Sequence, residues 1–196
     1  MKLRNLCLAA ILLTGSSIYA SVLTYVVTLD GPSESPTNAS PGTGNAFVTI
    51  DDIAHTMRLQ VTFGGLLGLT TASHIHSATA VPFTGTAGVA TTTPSFAGFP
   101  LGVTSGTFDN TLDLTQASSY NPAFVTANGG TTGSAETALL AGIAGGKAYL
   151  NIHSSVFGGG EIRGFLIATP EPATLGLVGL ALAVLLALGR RRHLSA

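Results

Sequence analysis

The chain of 196 residues has one cysteine, no tryptophan and few charges: Asp, Glu, Lys and Arg make up 9% of it, against about a quarter in an ordinary soluble domain. The one cysteine, Cys7, lies in an N-terminal apolar run that reads as a leader, so the exported part has no thiol. This excludes disulfides, a cysteine nucleophile and thiolate metal ligation. Basic residues are scarce as well. Only Arg58, Lys147 and Arg163 lie between residues 21 and 169, against eight carboxylates, a net charge of −5 with histidines neutral. No surface can track phosphates, so nucleic acid is excluded as a partner. There is no Ser-His-Asp arrangement around a strand-to-helix elbow and no marked carboxylate pair, so nothing supports a hydrolase.

Apolar residues are abundant, but unevenly placed. The mean hydropathy of +0.48 owes much to a run at each end. Lys2 and Arg4, the apolar Leu6 to Leu13 and the small residues Ser16 to Ala20 have the order of a secretory signal peptide, read as 1–20 with cleavage after Ala20 by signal peptidase of the export machinery. The apolar run is too short to span a bilayer, which takes about 20 residues. At the other end, Pro170-Glu171-Pro172 precedes an apolar run over 173–189 and then Arg190-Arg191-Arg192. That run is long enough for a short transmembrane helix. The arginines stop it on the cytoplasmic side, and the two prolines hold the backbone extended ahead of it.

Between the ends, residues 21–168 read as strands. Val22 to Leu29 is β-branched and aromatic, and a Pro/Ser/Gly/Asn-rich loop follows. Ala46 to Ile50 and Met57 to Phe63 alternate apolar and polar positions around an Asp51-Asp52 turn, which predicts a hairpin. Ala72 to Ala78, Thr86 to Ala90 and Gly106 to Leu114 are further strand segments. Ser134 to Ala144 is the one helix expected, capped by Ser134, with Glu136 in its first turn and Gly145-Gly146 as its stop. Lys147 to Leu166 reads as strand, glycine-rich turn, strand. This predicts an all-β fold, an antiparallel Greek-key β-sandwich or barrel with one short helix, plus the C-terminal transmembrane helix.

Two stretches resemble known families. The His-Ile-His of Ala72 to Ala78 and the later Tyr149, Asn151, Ile152, His153, Ser154, Gly160, Glu161, Ile162, Arg163, Gly164 and Leu166 are similar to the two motifs of the CHRD domain, with Ser73 where alanine is usual. The order Pro-Glu-Pro, apolar helix, arginine cluster over 169–196 resembles the PEP-CTERM sorting signal. These resemblances imply an exported protein, anchored for a time in the inner membrane, whose tail is recognised and removed by an exosortase-type enzyme. A permanent single-pass anchor is the alternative. They further imply a non-enzymatic module of the cell surface or extracellular matrix that binds polysaccharide or another surface protein.

Alternation places His74 and His76 on one strand face and Ile75 on the other. It likewise groups Tyr149, Asn151 and His153, with Leu150 and Ile152 facing the core. A His-x-His pair on one strand with a third histidine on another can hold copper or zinc through imidazole nitrogens. Incidental, hydrogen-bonded histidines are the alternative. The arrangement is similar to that of the copper-zinc superoxide dismutase sandwich, but no cysteine or histidine-rich zinc loop supports that activity. His55 reads as exposed and His193 as part of the tail. Glu161 and Arg163 fall on one face of a strand, either as a structural pair supporting register or with Arg163 anchoring an anion. Asn151 and Gly164 complete the family motif. Gly158-Gly159-Gly160 has no following helix or lysine and reads as a turn, not a phosphate loop.

Overall fold

A computed structural model describes residues 22–169 and 179–181 of the chain. The strands are β1 (Val22–Asp30), β2 (Thr43–Asp51), β3 (Thr56–Gly64), β4 (Thr70–His76), β5 (Gly106–Asp113), β6 (Tyr149–Ser154), β7 (Ile162–Phe165) and β8 (Ile167–Ala168). The helices are α1 (Pro122–Ala127) and α2 (Thr132–Ala144). The strands form one curled antiparallel sheet in the order β4-β6-β7-β1-β2-β3-β5, with β8 alongside β1. The all-β, antiparallel expectation holds. Of the two expected forms, sandwich or barrel, the sheet is nearer the second: it is a single half-barrel.

The period of two explains the curl. Tyr25, Val27 and Leu29 of β1, Ala46, Val48 and Ile50 of β2, and Met57, Leu59, Val61 and Phe63 of β3 all line the buried face. Each fully buried aliphatic side chain contributes about 1.5–3 kcal/mol, so a one-residue slip in any of these pairings would turn a whole row to water. What covers that face is not a second sheet. Phe124 of α1, Ala135, Leu139 and Ile143 of α2, and Phe96 and Phe99 of the long β4–β5 connection join the same core. Phe99 stacks on Phe63 at 5.4 Å and Phe96 on Phe108 at 5.8 Å, anchoring the connection to β3 and β5.

Three local expectations change. The hairpin forms as read, with Asp51 Oδ1 accepting from the amides of Ile53 and Ala54 in its turn. Thr86 to Ala90, however, is no strand. It runs irregularly along the outer edge of β4, where the amides of Ala90 and Thr91 donate to the Ile75 carbonyl and blunt that edge. Helix α2 begins a turn earlier than expected: Thr131 is its cap and Ser134 the third residue in a reciprocal capping box. Helix α1 is additional, started by Asn121 accepting from the Ala123 amide with Pro122 in its first turn. Glu136 is consequently past the first turn, and its carboxylate meets Nδ1 of His55 at 2.9 Å. His55, half exposed, thereby ties the β2–β3 turn to α2.

The leader, Pro170, Glu171, Pro172 and the arginines 190–192 lie outside the described residues, as does most of the expected transmembrane helix; Gly179–Ala181 are helical. Among the described residues no helix is long and apolar enough to cross a membrane.

Candidate metal centre

Strands β4 and β6 pair so that His74 lies opposite Asn151, His76 opposite Tyr149, and His153 opposite Ala72. Ile75, Leu150 and Ile152 point into the core, each with no exposed surface, so their packing fixes the histidines on the other face. Ala72 offers only a methyl group, which leaves room for the His153 ring to lean along the diagonal toward His74. The three rings cluster as a result. Their centroids are 4.7 Å apart for His74–His76 and His74–His153, and 6.1 Å for His76–His153.

Each ring is oriented through Nδ1. His74 Nδ1 lies 3.0 Å from the Pro94 carbonyl, His76 Nδ1 2.8 Å from Ala87 and His153 Nδ1 2.9 Å from Gly158. A carbonyl can only accept, so all three Nδ1 atoms carry the proton, and in neutral rings all three Nε2 atoms carry a lone pair. The Nε2 atoms of His74 and His153 face one another at 2.9 Å. His76 Nε2 is buried and has no hydrogen-bond partner among the described residues. Lone pairs this close repel unless a cation sits between them.

A proton is poorly suited to that role. Burial, then the neighbouring His76 and His153, pushes the pKa of His74 down to about 4. Burial does the same for His76, to about 4, against the opposing Ala87 hydrogen bond. His153 is lowered by burial as well. Three neutral imidazoles at neutral pH, each held by a backbone carbonyl through its far nitrogen, make a nitrogen donor set suited to copper or zinc. Their ligand atoms lie within 4.8 Å of one another. Two nitrogens bound tetrahedrally to one zinc lie about 3.3 Å apart, so closing on a metal opens the 2.9 Å His74–His153 contact by several tenths of an ångström and brings His76 Nε2 to the same spacing.

Beside the cluster is a stacked column. Tyr149 lies on His76 with rings 4.7 Å apart and 7° from parallel, and the Arg163 guanidinium lies 4.7 Å above Tyr149 on its way to Phe165. Arg163 donates to the carbonyls of Ser33 and Gly85 and lies 3.8 Å from Glu34. These partners hold the guanidinium through Nε and Nη1.

Glu161 does not share the environment of Arg163. It precedes β7, and Gly160, at φ 131°, turns the chain so that the Glu161 carboxylate accepts from Ser40 Oγ and the amides of Leu67 and Gly68. Burial pushes its pKa up, but hydrogen bonds from Ser154, Ser40, Leu67 and Gly68 outweigh that and hold it below the usual carboxylate range. The expected same-face pair is thus two separate anchors, one to the β3–β4 loop and one to the loops around Ser33 and Gly85. Gly164 is required by close approach: a Cβ there would lie 2.0 Å from the Thr28 carbonyl oxygen. Asn151 is buried between these groups, and its Oδ1 has no hydrogen-bond partner among the described residues. Sequence reasoning missed Glu34, Asn38, which donates to the Gly160 and Glu161 carbonyls, and Ser40. All three lie in the polar loop after β1, where no periodicity marks them.

Residues 25–166 match the CHRD domain family, and residues 168–192 match the PEP-CTERM protein-sorting motif. No curated protein and no solved structure matches the chain. The motif implies export and membrane-associated sorting by an exosortase-type enzyme. With most of its length inside one family match, the chain belongs to the CHRD domain family and carries a PEP-CTERM sorting motif directly after that domain.

Proposed function

We propose that this exported CHRD domain binds one copper or zinc ion through Nε2 of His74, His76 and His153, and that it serves as a non-enzymatic metal-holding module. One observation carries the reading. All three Nδ1 atoms are committed to carbonyls, so three lone pairs converge, two of them 2.9 Å apart. The incidental-histidine alternative has no account of that contact.

The sorting motif supports a destination beyond the inner membrane. On this reading the leader 1–20 is removed by signal peptidase, the apolar run 173–189 holds the chain in the membrane, and the tail is then cut. The domain finishes at the cell surface or in the extracellular matrix, where polysaccharide or another surface protein is its partner. The net charge of −5 over 21–169 suits a cation-binding, soluble module. Purified protein stripped of metal by a chelator is the material for the test. One equivalent of copper or zinc should raise its melting temperature by several degrees, since a ligand that binds only the folded state stabilises it. A melting temperature indifferent to both ions sinks the proposal.

A further inference from the structure

The sorting motif begins inside the sheet. Its match starts at residue 168, which is the second residue of β8, paired with Tyr25 of β1. Thr169 follows, and both its amide and its Oγ1 donate to the Thr24 carbonyl, at 2.9 and 2.8 Å. No spacer separates the folded domain from Pro170.

We propose that β8 is a releasable strap, and that an exosortase-type enzyme processes the chain only after residues 167–169 have peeled from β1. An enzyme that reads an extended peptide needs that peptide's own backbone N–H and C=O groups. Here the Thr169 amide is already taken, and Pro170 and Pro172 have no N–H to offer. The strap is built to open. Ile167 and Ala168 are exposed, so releasing them uncovers no core, and short segments with few buried contacts open locally at low cost. Peeling stops at Leu166, which is 1% exposed and whose amide donates to the Ala148 carbonyl. The freed segment is therefore three residues, at most about 11 Å of chain. This inference rests on the sorting-motif match and is independent of the histidine site.

The test uses the full chain in the cells that produce it. Val26 and Ile167 are direct cross-strand partners, within disulfide range for an antiparallel pair. Cys7 belongs to the leader, so the double variant Val26→Cys/Ile167→Cys has one possible bridge after export. The oxidised clamp should remain full-length, processed at least tenfold more slowly than either single variant on an immunoblot. A six-residue Gly-Ser spacer inserted between Thr169 and Pro170 should restore processing of the clamped chain. Protease-resistant, clamped protein cut at the parental rate overturns the proposal, as does a spacer that restores nothing. In the unmodified chain the Thr169 amide should exchange hydrogen at least tenfold faster than that of Leu166; equal rates also overturn it.

Discussion

His74 and His153 face each other across the β4–β6 pair with their Nε2 atoms 2.9 Å apart, while each gives its Nδ1 proton to a loop carbonyl. Two lone pairs in contact repel, so on the proposed reading a bound metal ion would relieve the contact and stabilise the domain.

Replacing a single ligand separates the two states. His153→Gln keeps a polar side chain of similar reach but removes the imidazole nitrogen and can turn an amide NH₂ toward His74 Nε2. Loss of an outer partner of a metal ligand costs 10–100-fold in affinity; loss of a ligand should cost more than about 100-fold here. The metal-free variant should be as stable as the metal-free parent, or more so, because the 2.9 Å repulsion is gone. Calorimetric titration with copper and zinc, alongside thermal melts with and without chelator, reads both. Unchanged affinity in His153→Gln removes His153 from the site.

Glu161 predicts a purely structural loss. Its carboxylate has no exposed surface and accepts from Ser40 Oγ and from the amides of Leu67 and Gly68. Glu161→Gln turns an amide NH₂ toward groups that are themselves donors. Leaving buried donors unmet costs about 1–3 kcal/mol, so urea unfolding should show a loss of that size. Metal affinity should stay within a few-fold of the parent, since the carboxylate's hydrogen bonds go to Ser40, Ser154 and the β3–β4 loop. A neutral outcome in urea would mean that the carboxylate does not hold β7 to the β3–β4 loop.

The strands were legible because their apolar positions alternate. Val22 to Leu29, the Asp51-Asp52 hairpin, and the face shared by His74, His76 and His153 all follow from a period of two. The same period shows that one face is buried without showing what buries it. Here α1, α2 and the β4–β5 connection do so, where the pattern allowed either a second sheet or closure of a barrel. Helix α1 was readable from Asn121-Pro122, a cap followed by a first-turn proline, but its six residues have too few apolar repeats to stand out. The carbonyls of Pro94, Ala87 and Gly158 set the histidine tautomers and come from irregular loops, where side-chain identity says nothing about where a backbone oxygen points. Parity assigns Glu161 and Arg163 one face, but Glu161 lies ahead of β7 and its carboxylate goes to Ser40 and the β3–β4 loop.

The glycines of the last hairpin divide into required and free. At Gly164 a Cβ would lie 2.0 Å from the Thr28 oxygen and 2.9 Å from Val27 Cγ1, so β7 must move off β1 to admit it. Gly164→Ala should cost at least the 1–3 kcal/mol typical of overpacking. At Gly158 and Gly159 a Cβ meets nothing within 4 Å, and Gly→Ala at either should stay within about 0.5 kcal/mol of the parent. Denaturant midpoints for the three variants settle the ranking. An unaffected Gly164→Ala would mean that β7 does not approach β1 as closely as the fold requires.

Glu34 gives the fold a dependence on pH that can be isolated by substitution. Burial pushes its pKa up to about 7, against the opposing pull of Arg163 at 3.8 Å and the hydrogen bond from the Ser35 amide. The folded-state pKa is thus above the unfolded value of 4.5, and the native state holds a proton that the unfolded chain releases. The stabilisation from that proton is fully present below about pH 4.5 and is lost as pH rises through about 7. Glu34→Gln fixes the neutral form at every pH. Its melting temperature relative to the parent should therefore climb as pH is raised from 5 to 8, then level off once the parent's Glu34 is ionised. His55 and the clustered histidines titrate in both proteins and cancel in the difference. Should that difference stay flat across the range, Glu34 is ionised throughout and the Arg163 contact, not burial, governs it.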